Sequence, residues 1–337
     1  MNNKEKVHKE INPDEVGYKE INYTYHNIIC KSACNKIKRS MPYKWDLNIY
    51  RGCSHQCKYC YALYSHKYLE SNYGDIVGSN GANSNRFFNN IYIKTNIAEE
   101  LDKQLSKPSW KNEIIAIGTV TDSYQSIEKK HELMRDVLEV LIKHKNPAII
   151  STKSDLILRD LDLIDELSQL NFVNIAVSIT SLDGEIQKTL EPNAPSSEDR
   201  LRVLEIVRAQ TNASTGLHFM PIIPYLTDSY QHIDSMFKSA EERNIHTILL
   251  GPLNLYGKTR GTFLNFIKND YPQFYDDIFA LYEKGRVSRD YSRDLFTKIK
   301  KIRDNYNIET NYVKVIKEKL VDYNEKENSK QSTLFDY

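Results

Sequence analysis

Three cysteines fall within Arg51-Gly-Cys-Ser-His-Gln-Cys-Lys-Tyr-Cys-Tyr61, spaced C-x3-C-x2-C at Cys53, Cys57 and Cys60. Thiolates so spaced are candidate iron–sulfur ligands, and ferredoxin-type clusters take four of them. Three thiolates leave one iron of a cubane 4Fe-4S cluster open to a small molecule, which suits catalysis rather than electron storage. A structural zinc site wants four ligands, usually as two separated pairs. His55 or His66 would have to be drafted as the fourth, and no second pair stands nearby. A disulfide framework fits poorly with 5 cysteines in 337 residues, a sparse and odd set. The two remaining cysteines, Cys30 and Cys34, cannot hold a second cluster. They are incidental thiols, a redox pair or hydrogen-atom donors.

The elements that must position the cysteines follow from short apolar runs and turn residues. A strand over Asp46–Tyr50 runs into the cysteine loop, with a helix expected over Tyr61–Leu69. Residues 71–90 are rich in Gly, Asn and Ser and are expected to form a loop. Strands are then expected at Ile91–Thr95, Glu113–Ile117, Ala148–Thr152, Val173–Ile179, Thr215–Ile222 and Thr247–Leu250. Between them the pattern gives helices at Ile97–Leu105, Glu128–Lys143, Asp155–Leu170, Glu198–Ala209 and Ser229–Arg243. The strands lack strict alternation, as strands buried on both faces do, and strand–helix alternation predicts parallel βαβ units. Six to seven strands fall short of a full eight-stranded barrel. Beyond Leu255 only helical segments are expected, Pro272–Lys284, Asp290–Asn307 and Tyr312–Val321, read as a helical cap over the barrel. The expected organisation is an N-terminal extension (1–45), a barrel (46–255), the helical cap (256–323) and a disordered tail (324–337), with no internal repeat.

The cysteine spacing, with Tyr59 before the last cysteine, resembles the radical S-adenosylmethionine (SAM) superfamily. Further motifs resemble its spore-photoproduct-lyase-like branch. They are Gly118-Thr-Val-Thr-Asp-Ser-Tyr-Gln125 with Glu128, Ser151-Thr-Lys-Ser154, Leu158-Arg-Asp160 and Val177-Ser-Ile-Thr-Ser-Leu-Asp183. Leu190-Glu-Pro-Asn-Ala-Pro195 with Arg200, Pro221-Ile-Ile-Pro224 and Gly251-Pro-Leu-Asn254 complete the series, which runs in order over about residues 31–260. The resemblance implies a partial (βα)6 TIM-type barrel and a 4Fe-4S cluster on Cys53, Cys57 and Cys60 whose open iron chelates SAM. It also implies reductive cleavage of SAM to methionine and a 5′-deoxyadenosyl radical that abstracts hydrogen from a substrate in the barrel mouth. Gly118, Thr119 and Thr121 are then expected beside the methionyl amine, and Lys153 near the SAM carboxylate. Ser178 and Thr180 are expected toward the ribose. Glu191 is expected at the ribose or in a salt bridge with Arg200 or Arg202, and Tyr59 on adenine or in the core. The sequence departs from the branch at Leu63, Ser123, Ser126 and Asn193. No cysteine follows Cys60, so the thiol donor of authentic spore photoproduct lyases is missing from the barrel strand ends.

Composition bounds what else the chain can do. With 40% apolar and 27% charged residues it is expected to be a soluble globular protein. No apolar run reaches membrane-spanning length and the start lacks a signal-peptide core, so cytoplasmic residence is expected. The net charge of +1 gives no global attraction to nucleic acid. Local basic excess over residues 31–44, and 11 basic against 5 acidic side chains between Lys284 and Lys319, leaves nucleic acid as a second candidate partner. An external electron donor of flavodoxin or ferredoxin type is implied by the resemblance. The functional readings are a radical SAM enzyme on an unidentified substrate, a nucleic-acid repair or modification enzyme, or a non-enzymatic metal-binding module.

Overall fold

The computed structural model describes residues 23–38, 41–66, 84–321 and 323. The first 20 residues, the end of the helix after the cysteines, most of the Gly/Asn/Ser-rich loop and the tail from Asn324 lie outside the described residues. In chain order the strands are β1 (Thr24–Ile28), β2 (Cys34–Lys36), β3 (Trp45–Leu47), β4 (Tyr50–Arg51), β5 (Asn90–Lys94), β6 (Ile115–Ile117), β7 (Ala148–Thr152), β8 (Val173–Ser178), β9 (Ser214–Ile222) and β10 (Thr247–Pro252). The helices are α1 (Ser84–Asn89), α2 (Ile97–Leu105), α3 (Glu128–His131), α4 (Leu133–Lys143), α5 (Leu161–Leu170), α6 (Gly184–Leu190), α7 (Ser197–Gln210), α8 (Tyr230–Glu242), α9 (Lys258–Asp270), α10 (Tyr275–Leu281) and α11 (Arg289–Arg303).

Seven strands form one sheet in the order β10-β9-β8-β7-β6-β3-β2. Six of them run parallel and β2 is antiparallel at the edge, so the barrel is a six-stranded open one. Alternation along each strand sorts the side chains. Val173, Ile175 and Val177 of β8 and Leu217 and Phe219 of β9 join the core shared with the surrounding helices. The intervening residues line the barrel interior in three layers fixed by register. Asp46, Ala116, Ile149, Asn174 and Ser214 share the lowest row, then Ser151, Ala176, Gly216 and Thr247, then Ser178, His218 and Leu249 near the C-terminal strand ends.

Four expectations are corrected. The strand over 46–50 is two: β3 belongs to the barrel, while β4 pairs with β5 in a separate three-stranded sheet completed by β1. The strand near residue 91 therefore lies outside the barrel. The helix over 128–143 breaks at Glu132, which adopts a left-handed conformation (φ 50°). The break follows from the buried Glu128 carboxylate, which accepts from the Met134 amide at 2.8 Å and so caps α4. Finally, the C-terminal helices divide between locations. α9 and α10 pack against Cys57 and Tyr59, whereas helical residues 312–321 bring Tyr312 and Ile316 against Ile114, Ile149 and Phe172 at the opposite end. The apolar floor of an open barrel needs a cover, and Tyr312 and Ile316 supply it. Among the described residues no helix is long and apolar enough to cross a membrane.

Candidate active site

The cysteine loop leaves β4 at Gly52, whose φ of +84° is left-handed and whose Cβ, were there one, would lie 2.3 Å from the Asn90 carbonyl. Only glycine fits there. The loop is then held from two distant segments. Gln125, fully buried, donates from Nε2 to the Gly52 carbonyl (3.2 Å) and accepts from the Ser54 amide (3.0 Å), so it grips the backbone on both sides of Cys53. Thr121 donates to the same Gly52 carbonyl at 2.5 Å. Asn193 donates from Nδ2 to the Ser54 carbonyl at 3.0 Å, and its own carbonyl lies 3.2 Å from His55 Nδ1. Downstream, the Lys58 amide donates to the Leu190 carbonyl at the end of α6 (2.9 Å), and Thr259 donates to the Cys60 carbonyl (2.9 Å). The α6 helix was not visible in the sequence pattern, although Asp183 caps it by accepting from Glu185 and Ile186.

His55 and Asp122 form a buried pair with Nε2 and Oδ2 at 3.0 Å. Asp122 also accepts from the Thr152 hydroxyl and the Lys153 amide, both at 2.7 Å, which ties β7 to the cysteine loop. Burial opposes its charge, but the facing His55 and these donors outweigh it and hold the carboxyl well below the usual range. The adjoining turn starts at Gly118, also left-handed (φ +83°), where an added Cβ would meet the Ser151 carbonyl at 2.4 Å. Asn48 shapes that turn by accepting from the Val120 amide and donating to Thr119 Oγ1, both at 2.9 Å. Its carbonyl accepts from the buried Lys94 ammonium at 2.5 Å.

The expected contact residues separate into two sets. Gly118, Thr119, Lys153 and Ser178, with Cys53 and Cys60, are partly open at the strand ends. Glu191, Tyr59 and Thr180 are buried behind them. The Tyr59 hydroxyl donates to Glu191, Thr180 donates to the same carboxylate at 3.2 Å, and Arg200 pairs with its other oxygen at 2.6 Å. Glu191 is thus occupied within the protein, in the salt bridge with Arg200 that the sequence had left as one alternative. Tyr59 packs with Leu190 and Ile223, with Lys153 Nζ 5.9 Å from its ring centre. Thr121 is likewise engaged with the loop. Asn48, Gln125 and Asn193 escaped the sequence reading as site residues. A polar Asn inside the apolar strand run over 46–50 was the available signal for the first.

Burial raises all three thiols, Cys53 to about 12, and each lies near enough to feel another's charge. Cations would be needed to hold them as thiolates. Among the described residues no three His, Cys, Asp or Glu side chains converge as they would on a single metal ion. A cubane instead takes one thiolate per iron, so three cysteines spread along one clamped loop fit it and a lone zinc fits poorly.

An open parallel barrel carrying three cysteines at the C-terminal strand ends defines a class of cluster-dependent barrel enzymes. The Radical SAM superfamily model matches residues 47–237, more than half the chain, and the protein belongs to that superfamily. It is accordingly an enzyme that works with a 4Fe-4S cluster and SAM. An uncharacterised protein of Mycobacterium tuberculosis is 35% identical over 266 residues, 78% of this chain and 74% of the relative. Another, from Methanocaldococcus jannaschii, is 29% identical over 235 residues, 70% of this chain and 79% of the relative. Spore photoproduct lyase complexed with dinucleoside spore photoproduct superposes with a TM-score of 0.58 at 13% identity, over 84% of this chain and 79% of that one. A mutant of spore photoproduct lyase gives 0.60 at 14% over the same shares. At such identity the likeness is one of fold.

Proposed function

We propose that Cys53, Cys57 and Cys60 hold the cluster, that SAM lies over the strand ends between Gly118 and Ser178, and that the substrate enters the barrel mouth beneath it. The observation that carries this reading is the clamped cysteine loop at the C-terminal ends of six parallel strands, where α/β barrels gather ligands. Bound there, the cluster supplies the electron that cleaves SAM to methionine and a 5′-deoxyadenosyl radical. The protein's part is orientation and exclusion of water. Lys153 and Ser178 reach the open face, with Lys153 toward the SAM carboxylate and Ser178 toward the ribose. The Gly118–Val120 turn, fixed by Asn48, offers backbone groups to the methionyl amine. Glu191 and Arg200 support Tyr59 from behind. A flavodoxin- or ferredoxin-type protein provides the electron.

The test is anaerobic reconstitution followed by SAM and dithionite. About four irons per chain and slow formation of 5′-deoxyadenosine without substrate are expected. One tight zinc and no iron after reconstitution would overturn the reading in favour of a metal-binding module. Mass analysis of whatever exchanges deuterium with 5′-deoxyadenosine then identifies the substrate.

A further inference from the structure

We infer that the Asp46 carboxylate accepts a hydrogen bond from the methionyl amine of SAM, a contact that rests on the placement of SAM proposed above. Along β3, Leu47 joins the core outside the barrel, as Ile115 and Ile117 of β6 do, so Asp46 faces the other way, into the barrel. It pairs in register with Ala116, two residues before Gly118, and its side chain reaches the turn. Asp46 Oδ2 accepts from Thr119 Oγ1 at 3.2 Å and from Asn48 Nδ2 at 3.4 Å. Its Oδ1 accepts no hydrogen bond among the described residues. Asn174 and Ser214 in the same row are sealed, but Asp46 is partly exposed and Asn35, opposite it on β2, is exposed. This side of the row is therefore open to a ligand.

Among the described residues the carboxylates that touch the cysteine loop or the Gly118–Val120 turn are Asp122, Glu191 and Asp46, and the first two are spent. Asp122 is taken by His55, Thr152 and the Lys153 amide, and Glu191 by Arg200, Tyr59 and Thr180. Only Asp46 keeps an oxygen for a ligand. In the turn itself the Thr119 carbonyl already accepts from the Tyr61 hydroxyl, and the Val120 amide is held by Asn48. An amine placed there brings several N–H donors, and a hydrogen bond with an ionised partner is about twice as strong as a neutral one. The buried Lys94 ammonium lies within range of the Asp46 charge, but it gives its hydrogen to the Asn48 carbonyl at 2.5 Å. Tying the turn to β3 needs Oδ2 alone, which leaves Oδ1 for the cofactor.

The test is equilibrium dialysis on the reconstituted protein without reductant, so that nothing is cleaved. The two probes are SAM and its deamino analogue, in which hydrogen replaces the amino group. Asp46→Asn, which keeps the shape of the side chain, should weaken SAM binding tenfold or more and change binding of the analogue less than twofold. Thr119→Val, which frees Oδ2 from its anchor, should weaken SAM several-fold with the same selectivity, and it serves if the asparagine variant fails to take up its cluster. Equal weakening of both probes would show that Asp46 merely shapes the turn, and would overturn the assignment. Unchanged SAM affinity would do so as well. Either result leaves the proposed placement of SAM standing, whereas an unaltered protein that binds neither probe would sink both.

Discussion

Gln125 is the residue on which the cysteine loop depends most visibly, since one amide serves the backbone on both sides of Cys53. Replacing it with leucine leaves the buried Ser54 amide without a partner, at about 1–3 kcal/mol, and the Gly52 carbonyl with Thr121 alone. Gln125→Leu should still fold but lose its cluster to a chelator at least tenfold faster than the unaltered protein, followed by the decay of visible absorbance. Equal decay rates would remove Gln125 from a positioning role. Lys153→Ala and Ser178→Ala act on a different quantity, SAM affinity, and each should weaken it by about 1–3 kcal/mol, the worth of one polar contact. Equilibrium dialysis with SAM checks this, and unchanged affinity in both would place SAM elsewhere. The cysteine motif stood out in the sequence because its spacing along one short loop is a local property. Asn48, His55, Gln125 and Asn193 were not, because their task is to meet residues roughly 70 to 140 positions away. No local pattern encodes such a partner. Glu191 illustrates the converse: a carboxylate in a recognisable motif reads equally as ligand or as salt bridge until Arg200 is seen against it.

At the level of elements, the turn after β6 has the narrowest tolerance. Gly118 combines a left-handed backbone with a 2.4 Å approach to the Ser151 carbonyl, so alanine there strains both the turn and the β6–β7 pairing. Gly118→Ala should lower stability by about 2–4 kcal/mol in denaturant titration. Gly184, whose added Cβ would meet nothing within 4 Å, is the control, and its alanine variant should change stability little. Five barrel strands were legible as apolar runs of the right length. The error over residues 46–50 had a physical cause. An apolar run marks burial, not the sheet to which a strand belongs, and here the chain crosses from one sheet to the other within three residues. Similarly, periodicity across Glu128–Lys143 carried no sign that Glu128 would turn inward and cap the next segment itself.

For the whole molecule, burial makes acid the natural stress. His66, His218 and His246 each have a pKa lowered by burial to about 4. Unfolded, each would take a proton near pH 6.5. Above that pH both states are neutral and nothing is lost. Between 6.5 and about 4 the unfolded chain binds protons that the folded one refuses, so stability falls as pH falls through that window. Thermal unfolding midpoints should therefore drop steadily from pH 7 to pH 5, and His246→Gln should flatten the slope. A midpoint independent of pH across that range would contradict the neutral histidines. Apart from Cys53, Cys57 and Cys60 the barrel strand ends carry no thiol, because no cysteine follows Cys60. Cys30 and Cys34 instead lie on the N-terminal segment, their backbones pinned by Asn96 and Gln104. Reduced, cluster-replete enzyme should consequently convert little or no dinucleotide spore photoproduct to thymidines. Efficient multiple-turnover repair, measured chromatographically, would refute that expectation, and its loss in Cys30→Ala or Cys34→Ala would locate the donor.

The grip on the cysteine loop also sets an order of events during synthesis. All three cysteines leave the ribosome early, but the groups that shape their loop arrive much later: Gln125, then the Leu190 carbonyl, then Asn193, and last Thr259. For most of translation the thiols are present without their cradle, exposed to oxidation and to adventitious metals. Closing contacts over such sequence separations is slow relative to local structure formation. Cluster insertion is thus an event for the nearly finished chain, and nascent chains arrested before residue 193 should take up iron and sulfide poorly however long they are incubated.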